Sequence, residues 1–274
     1  MNGSVPDTTP QLIADETWLI PNLAPAGDGL YLPVNAMVIR GEEPVIVDTG
    51  APIHREQWLE QVFSLVEPED VRWIFLSHDD GDHTGGLLDA LEMCPNATFV
   101  TNFFSVERLA LEKPALPLER MQWIEPGGSF DVGDRTLHLF RPPIFDGPTT
   151  RGIYDSKTAA MWAVDSFACL LPGAVLDVHD LDRDFVDEMI PAMNSAVSPW
   201  HAWLDADVYR RHLDDIEGLG VLTVATAHGP VLTGDAIHRA FEHARNMAGK
   251  PIIPTAGQEL LDELIAGLAE APAA

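Results

Sequence analysis

Short apolar runs alternate with stretches of helical period along this chain. Trp18-Leu19-Ile20, Ala36-Met37-Val38-Ile39, Pro44-Val45-Ile46-Val47-Asp48 and Val71 to Leu76 read as strands. Arg55 to Leu65 sets Trp58, Val62 and Leu65 at helical spacing, and Leu87 to Met93 reads as a second helix. Further on, Ala97 to Thr101, Thr136 to Phe140, Ala159 to Asp165 and Val221 to Ala225 are predicted strands. Ser105 to Glu112 is a short helix broken by Pro114 to Pro117. Phe185 to Met193, Ala206 to Ile216, Ala240 to Met247 and Gln258 to Ala269 complete the predicted helices. Residues 1 to about 15 read as a polar leader. Strands alternating with helices predict an α/β fold. No linker or shift of composition interrupts residues 1–274, so one domain is expected.

The polar residues at the strand ends are not random. Asp48, His78, Asp146, Asp165 and His228 each stand at or just beyond a predicted strand end. In α/β sheets that edge is where sites are built. The densest stretch is Leu76-Ser77-His78-Asp79-Asp80-Gly81-Asp82-His83-Thr84-Gly85-Gly86. Imidazole and carboxylate hold first-row metals, and four such ligands, His78, Asp80, Asp82 and His83, lie within six residues. Gly81 and the Gly85-Gly86 pair would let the backbone turn tightly and approach an ion. Asp79 is expected to face solvent, and Asp48 to accept hydrogen bonds from the ligand loop. Trp162 and Trp203 read as core residues.

Charge narrows the function. The chain carries 43 acids against 16 lysines and arginines, a net charge of -27. That repels nucleic acid and anionic membranes. Cys94 and Cys169 form no CxxC pair and read as buried small apolar residues. The N-terminus lacks the regions of a signal peptide. No apolar run reaches the roughly 18 residues of a membrane helix. A cytoplasmic protein is the expectation.

The residues resemble the metallo-β-lactamase superfamily, whose mark is a His-x-His-x-Asp-His loop after a strand. Here the loop reads His78-x-Asp80-x-Asp82-His83, with a carboxylate at its second position. A carboxylate there, as glutamate, marks the flavodiiron branch. Asp146 lies 63 residues after His83, Asp165 lies 19 further, and His228 lies 63 beyond that, close to the branch's spacing of its later ligands. Pro143-Ile144-Phe145-Asp146-Gly147-Pro148 looks like its Pro-x-Leu-His-Trp-Pro segment. Ala163-Val164-Asp165-Ser166-Phe167 looks like Ser-Gly-Asp-x-Phe, and Ala227-His228-Gly229-Pro230 like Ser-His-Gly-Pro. Val34-Asn35-Ala36-Met37-Val38-Ile39 looks like its Asn-Ala-Tyr-Leu-Ile strand. The likeness spans roughly residues 16 to 250. Two ligands depart from the branch, since Asp80 replaces its glutamate and Asp146 a histidine.

The resemblance implies an αβ/βα sandwich of two mixed sheets flanked by helices, with two metals. The first would be held by His78, Asp80 and Asp146, the second by Asp82, His83 and His228, with Asp165 bridging. Oxygen-rich ligation favours iron, or manganese, over zinc. It implies binding or reduction of O2 or NO. The chain stops at Ala274 without a flavodoxin domain, so electrons would come from a separate partner. By the resemblance His201 stands near the metals as a candidate proton donor, the alternative being a satisfied surface or core histidine. A homodimer is a family-level expectation. The competing reading is a metal-dependent hydrolase cleaving a small ester, lactone or thioester with a hydroxide activated between two metals. A third is a superfamily member that has lost its metals.

Overall fold

A computed structural model describes residues 6–113 and 116–270. The first half runs β1 (Gln11–Ala14), β2 (Thr17–Ile20), β3 (Leu23–Gly27), β4 (Leu30–Pro33), β5 (Ala36–Ile39), β6 (Val45–Val47), α1 (Arg55–Phe63), β7 (Trp73–Phe75), α2 (Leu87–Met93), β8 (Thr98–Thr101), α3 (Phe103–Glu112) and β9 (Met121–Trp123). The second half runs β10 (Ser129–Asp131), β11 (Thr136–Phe140), β12 (Gly152–Asp155), β13 (Ala160–Trp162), α4 (Arg183–Val197), α5 (Ala206–Glu217), β14 (Thr223–Ala225), β15 (Leu232–Thr233), α6 (Asp235–Arg245) and α7 (Gln258–Glu270).

Two mixed sheets organise these elements. The first has seven strands in the order β1-β2-β5-β6-β7-β8-β9. Its β6, β7, β8 and β9 pair in parallel. The second has six strands in the order β10-β11-β12-β13-β14-β15, with β13 and β14 parallel. β3 and β4 form a separate hairpin.

Burial explains why the sheets stack. β5 and β6 are apolar on both faces and fully buried, as strands covered on two sides must be. Val38, Ile46 and Ile74 meet Trp58, Val62 and Leu87 on the outer face of the first sheet. Met37, Val45, Val47 and Phe75 face the second sheet, and the same cluster continues through Leu137, Ile153 and Trp162 to α4, α5 and α6. The layers are helix, sheet, sheet, helix. Each Leu, Ile or Val taken from water into these cores contributes roughly 1.5–3 kcal/mol. No described helix is long and apolar enough to cross a membrane.

Several expectations change. Residues 11 to 14 are not leader but the edge strand β1, because Leu12 and Ala14 pair with Trp18 and Thr17. The strand expected to reach Asp165 stops at Trp162, and Val164 turns to φ 58°. α4 extends through Pro191 to Val197, and α6 begins at Asp235 rather than Ala240. Trp203 is 77% exposed and so is not core, whereas Trp162 is fully buried. Cys94 and Cys169 are both free and buried, and burial pushes each thiol up to about 12. Pro114 lies outside the described residues.

Candidate metal centre

The site forms where strand ends of the two sheets meet. β6 delivers Asp48, β7 delivers Ser77 and His78, β13 delivers Asp165 and β14 delivers His228. The loop after β11 brings Asp146. Asp48 is the buried keystone. It sits at φ 57° with no exposed surface and accepts four hydrogen bonds. Its donors are Ser77 N and Ser77 Oγ, both at 2.7 Å, with His83 Nδ1 and Trp162 Nε1 at 3.0 Å. That many donors make a buried carboxylate tolerable.

The glycines act otherwise than expected. A Cβ on Gly85 would stand 2.3 Å from the Ala51 carbonyl carbon, and one on Gly86 would strike the Trp58 ring at 2.8 Å. Their smallness lets the ligand loop lie against the segment after β6, where Thr49 N and Oγ1 both bond His83 O. Gly81 meets nothing within 4 Å.

Seven side chains converge. Three overlapping groups have ligand atoms within 4.8 Å of one another: His78, Asp80 and Asp146; His78, His83 and Asp165; and Asp82, His83 and His228. Asp165 faces both ends. Its Oδ2 lies 3.4 Å from His78 Nε2, and its Oδ1 lies 3.2 Å from His83 Nε2 and 3.3 Å from His228 Nε2. Asp82 Oδ2 is 3.3 Å from His228 Nε2. Asp80 and Asp146 stand 3.8 and 4.0 Å from His78 Nε2.

The imidazoles are aimed from behind. His83 Nδ1 donates to Asp48, and His228 Nδ1 donates to the Pro33 carbonyl at 2.8 Å. Both rings therefore turn Nε2 into the site, the arrangement outer partners impose on metal-binding histidines. His78 Nδ1 contacts Ser77 Oγ at 3.1 Å. His228 is further fixed through Asn35, whose Nδ2 donates to the Thr226 and Gly229 carbonyls at 2.9 and 3.0 Å.

Val164, at the position where the family pattern has glycine, takes φ 58° while fully buried. That is a costly conformation for a β-branched residue. Its carbonyl is gripped by Ala227 N and Thr226 Oγ1, both at 2.7 Å, and this holds Asp165 in place.

The electrostatics suit a cation. Burial works to raise the Asp165 carboxyl, but His78 and His83 outweigh it and hold it well below its ordinary value. Burial likewise opposes the His228 charge, yet the carboxylates of Asp165 and Asp82 close beside it carry it up to about 10. For His83, Asp48 and Asp165 overcome burial and raise it well above 6.5. Asp82 is held low despite burial, by the His228 imidazole beside it and the charge of His83. Asp80 is pushed up, chiefly by burial and also by Asp146 beside it. Among the described residues, His78 Nε2, His83 Nε2 and Asp165 Oδ1 are buried without a hydrogen-bond partner of good geometry. Orphaned buried nitrogens and oxygens facing one another, with acids crowded around them, fit a metal.

The structure does not bring His201 to this group. It is buried, with Nε2 on Ser195 Oγ and Nδ1 on the Met247 carbonyl, both at 3.0 Å. It fastens α4 to the chain after α6. Its neighbour Trp200 acts on the site indirectly, donating from Nε1 to the Phe145 carbonyl at 2.7 Å, one residue before Asp146. Asp79 also differs from expectation. Its side chain is only 4% exposed and takes Arg108 Nε at 2.7 Å. Asn35, Ser77, Trp162 and Thr150, whose Oγ1 donates to Asp146 Oδ1 at 2.9 Å, are site residues the sequence did not flag.

Known proteins agree with this architecture. The flavodiiron protein of Giardia intestinalis superposes with a TM-score of 0.74 over 88% of this chain and 59% of its own, at 18% identity. The rubredoxin oxygen:oxidoreductase of Desulfovibrio gigas gives 0.69 over 82% and 61%, at 15% identity. By sequence, diflavin flavoprotein A 1 of Synechocystis sp. is 26% identical over 227 residues, 80% of this chain and 38% of that protein. The type A flavoprotein fprA of Rhodobacter capsulatus is 25% identical over 82% of this chain and 51% of its own. The chain thus spans about a third to a half of the length of its curated relatives. The family model described as ODP family beta lactamase matches residues 33–229. The chain belongs to that family, with the metallo-β-lactamase-like fold of flavodiiron cores.

Proposed function

We propose that this protein holds a pair of iron ions and uses it to bind or reduce O2 or NO, with electrons supplied by a separate partner. His78, Asp80 and Asp146 would hold one ion, Asp82, His83 and His228 the other, and Asp165 would stand between them. The observation that carries this reading is Asp165, whose two oxygens face imidazoles of the two groups. Four carboxylates can balance two divalent charges, and so many oxygens favour iron or manganese over zinc. The names of the relatives, diflavin flavoprotein and rubredoxin oxygen:oxidoreductase, support the redox reading over the hydrolytic one.

When bound, the ions would supply the redox equivalents and the Lewis acidity. The chain's own residues do the rest. Asp48 and the Pro33 carbonyl hold the imidazoles with Nε2 forward. Asp80 and Asp82, with side chains 42% and 36% exposed, form the open rim through which a small molecule would enter. His78, His83 and Asp165 close the floor and exclude water behind it. A net charge of -27 argues against a nucleic-acid substrate.

The test is anaerobic loading with ferrous iron, followed by exposure to O2 or NO with a chemical reductant. Two irons per chain and catalytic consumption of either gas are expected. Two zincs with rapid ester or lactone cleavage, and no gas consumption, would overturn the proposal in favour of a hydrolase.

A further inference from the structure

We propose that Arg108 is a positioning residue for the His78, Asp80 and Asp146 half of the centre, acting through Asp79. The inference rests on the metal-binding reading above. Residues 78 to 80 belong to no strand or helix. The Ser77 N–H is held by Asp48. The Asp80 carbonyl accepts from His83 N at 3.0 Å and Thr84 Oγ1 at 3.1 Å. The Ser77 carbonyl accepts from Arg151 N at 2.8 Å. Beyond it, the Asp79 side chain ties the segment to α3. Its carboxylate turns away from the site into α3, meeting Arg108 Nε at 2.7 Å and Ser105 Oγ at 3.5 Å.

Arg108 also looks towards the site. Its Nη2 lies 3.9 Å from Asp80 Oδ1. Among the described residues, no other lysine or arginine nitrogen lies within 4.0 Å of Asp80, Asp82, Asp146 or Asp165. The guanidinium fork thus ties one carboxylate and faces its neighbour, a task its planar geometry suits better than an ammonium.

The same helix end reaches the other acid. Asn102 caps α3, with Oδ1 accepting from Ser105 N at 3.1 Å, while its Nδ2 donates to Ser105 Oγ at 2.9 Å and to the Thr149 carbonyl at 3.0 Å. Thr150, the next residue, donates to Asp146. The first turns of α3 therefore set the approach of Asp80 to Asp146. These two ligands are the ones whose residue types depart from the flavodiiron pattern. A shorter carboxylate at position 80 reaches a metal only if its backbone is held forward, and the Asp79–Arg108 pair supplies that hold.

The test is a calorimetric titration of the chelator-stripped full chain with Mn(II), which stays divalent in air. The wild type is expected to bind two ions. In Arg108→Gln one ion binds roughly 10–100-fold more weakly, the loss typical of outer partners, and the other is unchanged. Arg108→Lys recovers part of the loss. Asp79→Asn matches Arg108→Gln, and the double variant is no worse than either single, since both break one link. Arg108 is half exposed, so its variants keep the fold, checked by circular dichroism. A bystander predicts unchanged binding, and a mere charge predicts tighter binding once the cation is gone. Either result would overturn the inference while leaving the metal centre intact. A wild type that binds no ion pair would instead overturn the metal-centre reading itself.

Discussion

At the scale of single residues, Asp165 matters most to the proposed centre, because its two oxygens serve two groups of imidazoles. Asp165→Asn is predicted to weaken binding of both ions by more than the roughly 10–100-fold of an outer-partner loss, read by the same Mn(II) titration. Loss of only one ion would mean that it does not stand between them. The imidazoles carry a pH signature. His228 in the folded chain is raised from 6.5 to about 10. Its folded value exceeds its unfolded one, so it stabilises the metal-stripped protein fully below about pH 6.5 and ceases to do so as pH rises through about 10. Urea midpoints in chelator should therefore fall between pH 7 and pH 10. His228→Ala should flatten that fall, and an identical slope in the variant would refute the assignment. Bound metal replaces the proton, so the loaded protein should not show this fall. Trp162→Phe removes a donor from buried Asp48. It is predicted to cost about 1.5–3 kcal/mol in urea unfolding.

Residue types and spacing made the seven ligand-capable side chains legible, because imidazoles and carboxylates clustered at strand ends are rare by chance. Their supports were not. Trp162 meets Asp48 across 114 positions, and Asn35 meets Thr226 across 191. No local pattern records such pairings. The signal for Asp79 was misleading, because an acid in an Asp-Asp-Gly-Asp loop looks solvated until α3 supplies Arg108.

At the scale of elements, buried strands and amphipathic helices were readable where they ran long enough. β5, β6, α1, α2 and α5 fall where hydrophobic period placed them. β9, β10 and β15, two or three residues each, are too short to show a period and exist because neighbouring strands pair with them. The loop between β7 and α2 is shaped by packing against the segment after β6 rather than by turn chemistry. Gly85→Ala would force a Cβ into the Ala51–Pro52 backbone. It is predicted to destabilise the protein by about 1–3 kcal/mol or more, and to lower metal affinity with it. Gly81→Ala, which meets nothing, should leave both unchanged, and equal effects in the two variants would contradict this account of the loop.

At the scale of the whole molecule, one cluster of buried side chains runs from the first sheet through the second to its helices. We propose that the chain is a single domain. Homodimer formation is a proposal for sedimentation to decide. The molecule's chemistry turns on whether two metals sit where the two sheets meet. The most direct measurement is the metal content and gas consumption of wild type and Asp165→Asn after anaerobic iron loading. The account predicts two irons per wild-type chain, an absorption band that bleaches on reduction and returns with O2, and loss of both in the variant. A wild-type chain that retains no iron, or a variant that keeps two, would contradict it.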